Sequence, residues 1–532
     1  MVLVIYFLIF YVLLSISLYL LFPKADVPAI DGLIPGKNFI QWAKIIGRKK
    51  WWPLLLLIPI VNIFIFCGMA VDLVRSFKHY KFTDSALAVI FAPAIFFKIA
   101  KSDAEYDGPN FTKEQAYMND LRVAQKAGDK RKVERLIRKS PYKKSFFREW
   151  VESIVFAVFA AAFIRMFLIE AFVIPTPSME GSLLVGDFLF VSKASYGIRT
   201  PMTIAMIPLL HNRIPYVGKE SYLKEPSLDY HRLPALEDIK RNKPIVFNWP
   251  VGDSVFITKQ RSYTLDQARR ANKNSIGDKE LWEKVKNEDY VVRPIDKKDH
   301  YIKRCVAVAG DSLVIRDRQI FVNGVRQKNP KEMQFGYTIQ PPRSGINPNV
   351  LKRWNIAQTR ADRAIFNGKQ VYFLDSLQVT QLMSLGDGVS VKPIEHPKDG
   401  DMFPNDDANF GGWNVDNFGP IWIPKAGETT YLDMTNIALY KRIISVYENN
   451  DLEIKGGDIY INGEKADSYT FKQDYYWAMG DNRHNSEDSR MWGYVPHDHI
   501  VGKPLFIWFS TKNASLKEGI RFNRMFKSAN VD

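Results

Sequence analysis

Hydrophobic residues follow two different patterns along this 532-residue chain, and the change comes near residue 175. Residues 2–22 are almost wholly apolar, and the first basic residue, Lys24, follows the run. A cleaved leader would carry positive charge ahead of its apolar stretch and small residues at a cleavage site behind it, so this run predicts a transmembrane helix. Trp52 to Val71 predicts a second. Ala86 to Ile99 is shorter and holds Pro93, which fits either a span or a re-entrant segment. Val151 to Ile174 predicts a further span. The stretch between these last two, Lys98 to Arg148, is polar and basic, with a surface helix expected over Thr112 to Lys139. After residue 175 the apolar runs become short and alternating: Phe188–Val191, Pro244–Asn248, Tyr301–Val308, Ile320–Val322, Ile459–Ile461 and Leu505–Phe509. This is the period of strands. Asn323-Gly324 and Asn462-Gly463 each follow such a run and predict tight hairpin turns.

The predicted fold class is therefore mainly β, an antiparallel-sheet domain preceded by an α-helical multi-span membrane region. Residues 1–100 form the membrane region with two or three spans, 101–150 a basic cytoplasmic segment, 151–174 a transmembrane helix, and 175–532 an extracytoplasmic β-rich domain. Long polar insertions interrupt that domain near 255–299 and 325–430, the first partly helical. An apolar, proline-bearing stretch from Ile198 to Val217 is either a buried loop or a segment that dips into the bilayer surface.

Charge sharpens the topology. The net charge of +16 concentrates beside the apolar segments, where it bears on orientation and anionic lipid and gives no reason to expect nucleic acid. Four spans with 98–148 in the cytoplasm place Lys44, Arg48, Lys49 and Lys50 inside and carry the chain outward before residue 175. They also leave Arg75, Lys78 and Lys81 outside, against the positive-inside rule. Arg165 and Glu170, near the outer end of the last span, are expected to snorkel. The only cysteines, Cys67 and Cys305, lie far apart, so neither a disulfide nor a cysteine metal site is expected.

Three stretches carry possible chemistry. Pro175-Thr176-Pro177-Ser178-Met179-Glu180 follows the last span, and its prolines hold Ser178 out of the helix in an extended segment, although a chance serine at a helix exit would look the same. Tyr301-Ile302-Lys303-Arg304-Cys305-Val306, followed by Ala309-Gly310-Asp311, sets a lysine in an apolar strand, where burial lowers its pKa unless it reaches solvent at an edge. Gly480 to Arg490 is dense in turn formers and hydrogen-bonding side chains, as a polar surface loop would also be.

Taken in this order, the three boxes resemble the type I signal peptidases, membrane-anchored Ser/Lys endopeptidases. The resemblance covers roughly 171–510 apart from the insertions, with Val185-Gly186-Asp187 after the first box and Pro244-Ile245-Val246-Phe247 similar to the family's central strand. It implies Ser178 as nucleophile and Lys303 as base, Ser486 as the hydroxyl that orients the lysine, and Thr176 as an oxyanion donor beside the Ser178 amide. Arg304, Asp481, Asp488 and Arg490 would be structural residues around the site. It further implies no cofactor or metal, preproteins with cleavable signal peptides of Ala-x-Ala type as substrates, contact with the lipid bilayer, and a place in a bacterial cytoplasmic membrane with the catalytic domain on the outer face.

The boxes depart from the family pattern in two places. Glu180-Gly181-Ser182 replaces the usual Met/Glu-Pro-Thr, and His484 stands where an aspartate is common. His497-Asp498-His499 and the acidic loop from Asp399 to Asp407 lack the ligand spacing of metal sites and are expected to be plain surface. A second lysine competes for the role of base. Tyr440-Lys441-Arg442-Ile443-Ile444 precedes Asn462-Gly463 much as Tyr301-Ile302-Lys303-Arg304 precedes Asn323-Gly324, which suggests a repeated hairpin. Without a gap Lys303 aligns with Arg442, and with one extra residue it aligns with Lys441. Only the first copy continues into Ala309-Gly310-Asp311, which favours Lys303.

Overall fold

The computed structural model describes residues 2–530 except 58–60, 141, 143–145, 260–261, 266–267, 269–277, 342–344, 357–362, 367, 387 and 399–401, so the start of the acidic loop lies outside the described residues. The chain forms two compact units, residues 1–155 and 156–532.

The first unit is helical: α1 (Val2–Leu21), α2 (Lys37–Ile45), α3 (Val61–Arg75), α4 (Phe82–Lys101), α5 (Asn110–Lys126), α6 (Lys130–Lys139) and the start of α7 (Phe146–Phe167). Three stretches, Phe7–Ala25, Phe82–Lys101 and Glu149–Phe167, are long and apolar enough to cross a membrane. The expected span at Trp52–Val71 divides into a 3-10 turn over Trp52–Leu57 and α3, whose 15 residues rise only about 22 Å against a hydrocarbon core of about 30 Å. In α4 the ring of Pro93 disfavours helical backbone before it, and Phe91 is extended at φ −152°, ψ 78°. The two halves fold back, so that Lys98 Nζ lies 3.6 Å from Asp84 Oδ1, groups that a straight helix would hold about 21 Å apart. Ala86–Ile99 is thus a helical hairpin. The expected surface helix over 112–139 is broken into α5 and α6 by a turn at Gly128, which has φ +68°.

Basic residues from distant parts of this unit gather at one end. Arg48 pairs with Asp72 at 2.8 Å, and the same carboxylate accepts from Asn110 at 3.2 Å. Arg75 reaches Glu114 at 3.8 Å, Lys78 reaches Asp107 at 3.6 Å, and Lys24 donates to the Ala104 carbonyl at 3.2 Å.

The second unit is organised by one antiparallel sheet of seven strands: β1 (Ile169–Val173), β2 (Asp187–Ser192), β3 (Lys243–Asn248), β4 (His300–Ala307), β5 (Tyr475–Met479), β6 (Val495–Pro496) and β7 (Ile500–Ser510), in the order β1-β2-β7-β3-β4-β5-β6. Helix α7 ends at Phe167, and Ile169–Val173, expected as the end of the span, is strand β1 paired with Phe188–Ser192. Apolar helix and apolar strand read alike in sequence, so the turn between them left no mark. β3 and β4 are covered on both faces, with Ile245, Phe247 and Cys305 in one apolar cluster and Val246 and Ile302 in another. Both Asn-Gly pairs close two-residue turns, with φ +53° and +77° at Asn323-Gly324 and +54° and +84° at Asn462-Gly463, as a type I′ turn requires.

Around the sheet stand smaller sheets. Ser254–Ile257 pairs with Ser262–Thr264 and Val291–Val292 beside a helix over Lys279–Lys286, and Phe335–Gln340 centres a four-stranded sheet in the longer insertion. Trp477, Tyr494, Phe418 and Tyr475 fill the main core between sheet and insertion.

Candidate active site

β1 feeds directly into the serine box. Thr176 is extended at φ −130°, ψ 153°, and Pro177–Met179 then forms one 3-10 turn, closed by the Glu180 N–H on the Pro177 carbonyl. Ser178 therefore sits on a tight turn within a proline-flanked strand exit, where an extended segment was expected. The turn is held from the far side by Asn482, whose N–H donates to the Ser178 carbonyl (3.1 Å) and whose side-chain amide donates to the Pro177 carbonyl (3.2 Å).

Lys303 comes from the middle of β4. Its side chain is buried, and Nζ donates to Ser178 Oγ at 2.8 Å and to the Ile302 carbonyl at 3.2 Å. No carboxylate forms an ion pair with it among the described residues. Burial lowers its pKa to about 8, and the more distant carboxylates of Asp488, Glu487 and Asp481 partly oppose the shift. Thr176 Oγ1, on the exposed side, is 3.5 Å from Ser178 Oγ. A cavity of about 510 Å³ opens over the pair, walled largely by apolar side chains of β1, β2 and β4 such as Phe172, Leu189 and Ile302, and by Ile174 just after β1.

The third box wraps behind the pair. Gly480 N–H donates to Asp488 (3.0 Å), which the Arg490 guanidinium grips at 2.8 and 2.9 Å. Burial alone would raise the Asp488 pKa, but the Arg490 charge and hydrogen bonds hold it low. Asp481 and Arg304, both fully buried, form a bidentate pair at 2.7 and 2.8 Å. A Cβ on Gly480 would lie 2.2 Å from Ser486 Oγ and 2.4 Å from the Ser178 carbonyl oxygen, so glycine is what lets the serine turn and the Ser486 hydroxyl close on this loop. Ser486 Oγ makes no hydrogen bond to Lys303 in this structure.

Lys441 is elsewhere. The hairpin closed by Asn462 does repeat the one closed by Asn323: the asparagine side chains accept from Asp451 N–H and Ser312 N–H at 2.9 and 2.8 Å, at the ungapped offset. The preceding segment does not repeat, because Ile437–Arg442 is a helix and Lys441 is exposed on it. His497 and His499 are tied to Tyr476 and Asp498, and no group of three ligating side chains could hold a metal ion among the described residues.

The profile of the family described as signal peptidase, peptidase S26, matches residues 147–376 and 466–509, together more than half of the chain and inclusive of all three boxes. The chain belongs to the signal peptidase family. Among curated relatives it is 25% identical to the Signal peptidase I of Helicobacter pylori over 396 residues, 72% of this chain and 92% of that one. With the Signal peptidase I of Haemophilus influenzae it shares 24% over 377 residues, 70% of this chain and 74% of the relative. A shorter stretch of 48 residues, 9% of this chain and 19% of the relative, is 50% identical to the Signal peptidase I of Aquifex aeolicus. Residues 30–109 match a separate family of unknown function, DUF5684.

For a signal peptidase, the departures in the boxes have a local cause that sequence reasoning missed. The longer insertion packs on the site: Gln334 N–H donates to the Asp481 carbonyl, and Arg483 N–H donates to the Gln334 carbonyl. His484 Nδ1 accepts the Gly336 N–H at 3.1 Å, and Nε2–H donates to Asp416 at 2.7 Å. Gly181 has φ +93°, closed to proline, and meets Glu332 of the same insertion. The available signal was the coincidence of unusual residues at 181 and 484 with a long insertion between the boxes.

Proposed function

We propose that Ser178 and Lys303 are the catalytic pair of a membrane-bound endopeptidase that removes signal peptides from preproteins. The hydrogen bond between Lys303 Nζ and Ser178 Oγ, in a buried pocket that brings the lysine pKa to about 8, carries this reading. Neutral Lys303 takes the Ser178 proton as Oγ attacks the scissile carbonyl, and the resulting ammonium returns a proton to the leaving amine. Water, deprotonated by the same amine, then hydrolyses the acyl-enzyme. Thr176 Oγ1 and the Ser178 amide stabilise the oxyanion. Ser486, beside Gly480 on the loop behind the pair, is the residue assigned to position Lys303, and Arg304, Asp481, Asp488 and Arg490 keep the loop in place.

The apolar walls of the cleft suit an extended strand with small side chains before the cut, of Ala-x-Ala type. The gathering of Arg48, Arg75, Lys78 and Lys24 at one end supports a cytoplasmic side there. With α4 a re-entrant hairpin, Arg75, Lys78 and Lys81 belong to that side too, and the objection raised by four spans falls away. Residues 101–150 are then cytoplasmic, α7 crosses outward, and the β domain lies on the outer face of a bacterial cytoplasmic membrane. Ile204, Ile207, Leu209 and Val217, all exposed, suit contact with the bilayer surface.

The test is incubation of the purified full-length chain with a preprotein bearing an Ala-x-Ala site. Wild type should release the mature protein and Ser178→Ala should not; equal cleavage by folded Ser178→Ala would remove Ser178 from the mechanism.

A further inference from the structure

A second cavity, of about 80 Å³, lies across His300 from the cleft and has no part in the proposed chemistry. Its lining comes from the C-terminal end of α7, β1, the residue after β2, the loop beyond it and the turn before β4. Four cations, Arg165, Lys193, Arg199 and Lys297, face two carboxylates, Glu170 and Asp296.

Both carboxylates are already engaged. Glu170, only 5% exposed, takes Arg165 and Lys193 at 2.8 Å each, a buried cluster where snorkelling was expected. Asp296 accepts the Thr203 N–H and hydroxyl at 3.0 Å each. Arg199 is left with two neutral acceptors, the Asp498 carbonyl and Asn248 Oδ1, both at 2.9 Å. Lys297 is left with less. It is 4% exposed, and among the described residues its only hydrogen-bond acceptor is the thioether of Met206, 3.0 Å away, with the face of the Tyr222 ring 5.5 Å from Nζ. Sulfur is a weak acceptor, and an ammonium has three protons to place, so a buried cation lines this cavity with most of its hydrogen-bonding capacity unused.

We propose that this cavity binds the phosphate of a phosphate-bearing ligand, with Lys297 and Arg199 as its principal donors. A tetrahedral phosphate offers acceptors in several directions to cations that come from different elements, whereas a carboxylate offers them in one plane. The volume admits one phosphate group and leaves its substituents outside. Two sources share this chemistry, free phosphate and the headgroup of an anionic phospholipid. The position at the end of α7 favours the lipid, an assignment that rests on the membrane span of the proposed function, while the phosphate site itself does not. Occupancy would brace β1, which carries Glu170 and leads into Ser178, and the start of β4, which carries Lys303.

The experiment is thermal unfolding of the full chain in uncharged detergent, titrated with inorganic phosphate, with dihexanoylphosphatidylglycerol or with dihexanoylphosphatidylcholine, against chloride at matched ionic strength. One probe or more should give a saturable rise in unfolding temperature. Lys297→Met, which removes a buried charge at nearly constant volume and so should fold, should weaken binding at least about tenfold. Lys297→Arg should bind within a few fold of wild type, and Lys517→Gln, at an exposed position, should bind as wild type does. Tighter binding of the glycerol lipid than of phosphate or the choline lipid assigns the lipid source, and binding of phosphate alone assigns the free ion. No saturable rise beyond chloride with any probe, or an equal rise in Lys297→Met, would overturn the site. Because no cleavage is measured, a failed Ser178 test leaves this result untouched.

Discussion

The carbonyl oxygen of Glu332 stands over Gly181 so closely that a Cβ on Gly181 would lie 2.0 Å from it. Glu332 belongs to the longer insertion, and Gly181 lies three residues beyond Ser178. Here the insertion is seated on the first box, and glycine is the residue that admits it. Gly181→Ala meets the backbone of Glu332 and must also hold φ +93°, so it should cost about 2–4 kcal/mol of stability. Thermal unfolding reads the loss, and cleavage should fall as the Ser178 turn is displaced. An unchanged unfolding temperature would mean that the insertion does not seat there.

Replacing the two competing lysines separates them. Lys303→Ala should lower cleavage by about a thousandfold or more, and Lys303→Arg should do no better because a guanidinium stays protonated. Lys441→Ala, at an exposed helix position, should leave activity within about twofold. The reverse pattern in folded variants would transfer the role of base to Lys441.

The pH dependence has a defined sign. The folded pKa of Lys303 is about 8 against an ordinary 10.5, so the neutral base is scarce below pH 8 and dominant above it. Single-turnover cleavage should rise about tenfold per pH unit below 8 and level off above it. Stability moves the same way: between about 8 and 10.5 the unfolded chain binds the lysine proton and the folded chain does not, so the cost of burying the ammonium, full below pH 8, fades as pH rises. A rate that is flat from pH 6 to 9 with chemistry limiting would count against a lysine base.

At 484 the residue more usual in the family should be harmful. His484→Asp deprives the Gly336 N–H of its acceptor and sets a second carboxylate against Asp416. A loss of about 2–4 kcal/mol is expected, read as lowered denaturation midpoint. Adding Asp416→Asn should recover part of it, and strict additivity of the two changes would show that the residues are not coupled.

The strands and both hairpin turns of the β domain were legible because side-chain alternation and Asn-Gly chemistry are local properties. So were Ser178 and Lys303, which chain order brought to notice and the 2.8 Å contact joins. What escaped reading depended on partners far away in sequence. Arg165 and Glu170 read as snorkelling charges at a span's end, and it is Lys193, brought alongside by the pairing of β1 with β2, that completes their buried cluster. The segment at Tyr440 to Ile444 was ambiguous by period: Ile437, Tyr440, Ile443 and Ile444 are buried at helical spacing, yet five residues read alone pass for a strand. In α4 the proline marked a break without saying that the chain doubles back.

Leu168 is the single residue between α7 and β1, and it is hydrogen-bonded both ways: its N–H donates to Ile164 of the helix, and its carbonyl accepts from Lys193 beside the sheet, each at 2.8 Å. No hinge separates the helix from the strand that delivers Ser178. On the proposed function, the five residues of β1, rising roughly 17 Å, then act as a ruler. A preprotein would be measured from the point where its own apolar run ends, and a peptide bond with suitable neighbours but the wrong distance from that point would pass uncut, selected against by length before any side chain is read.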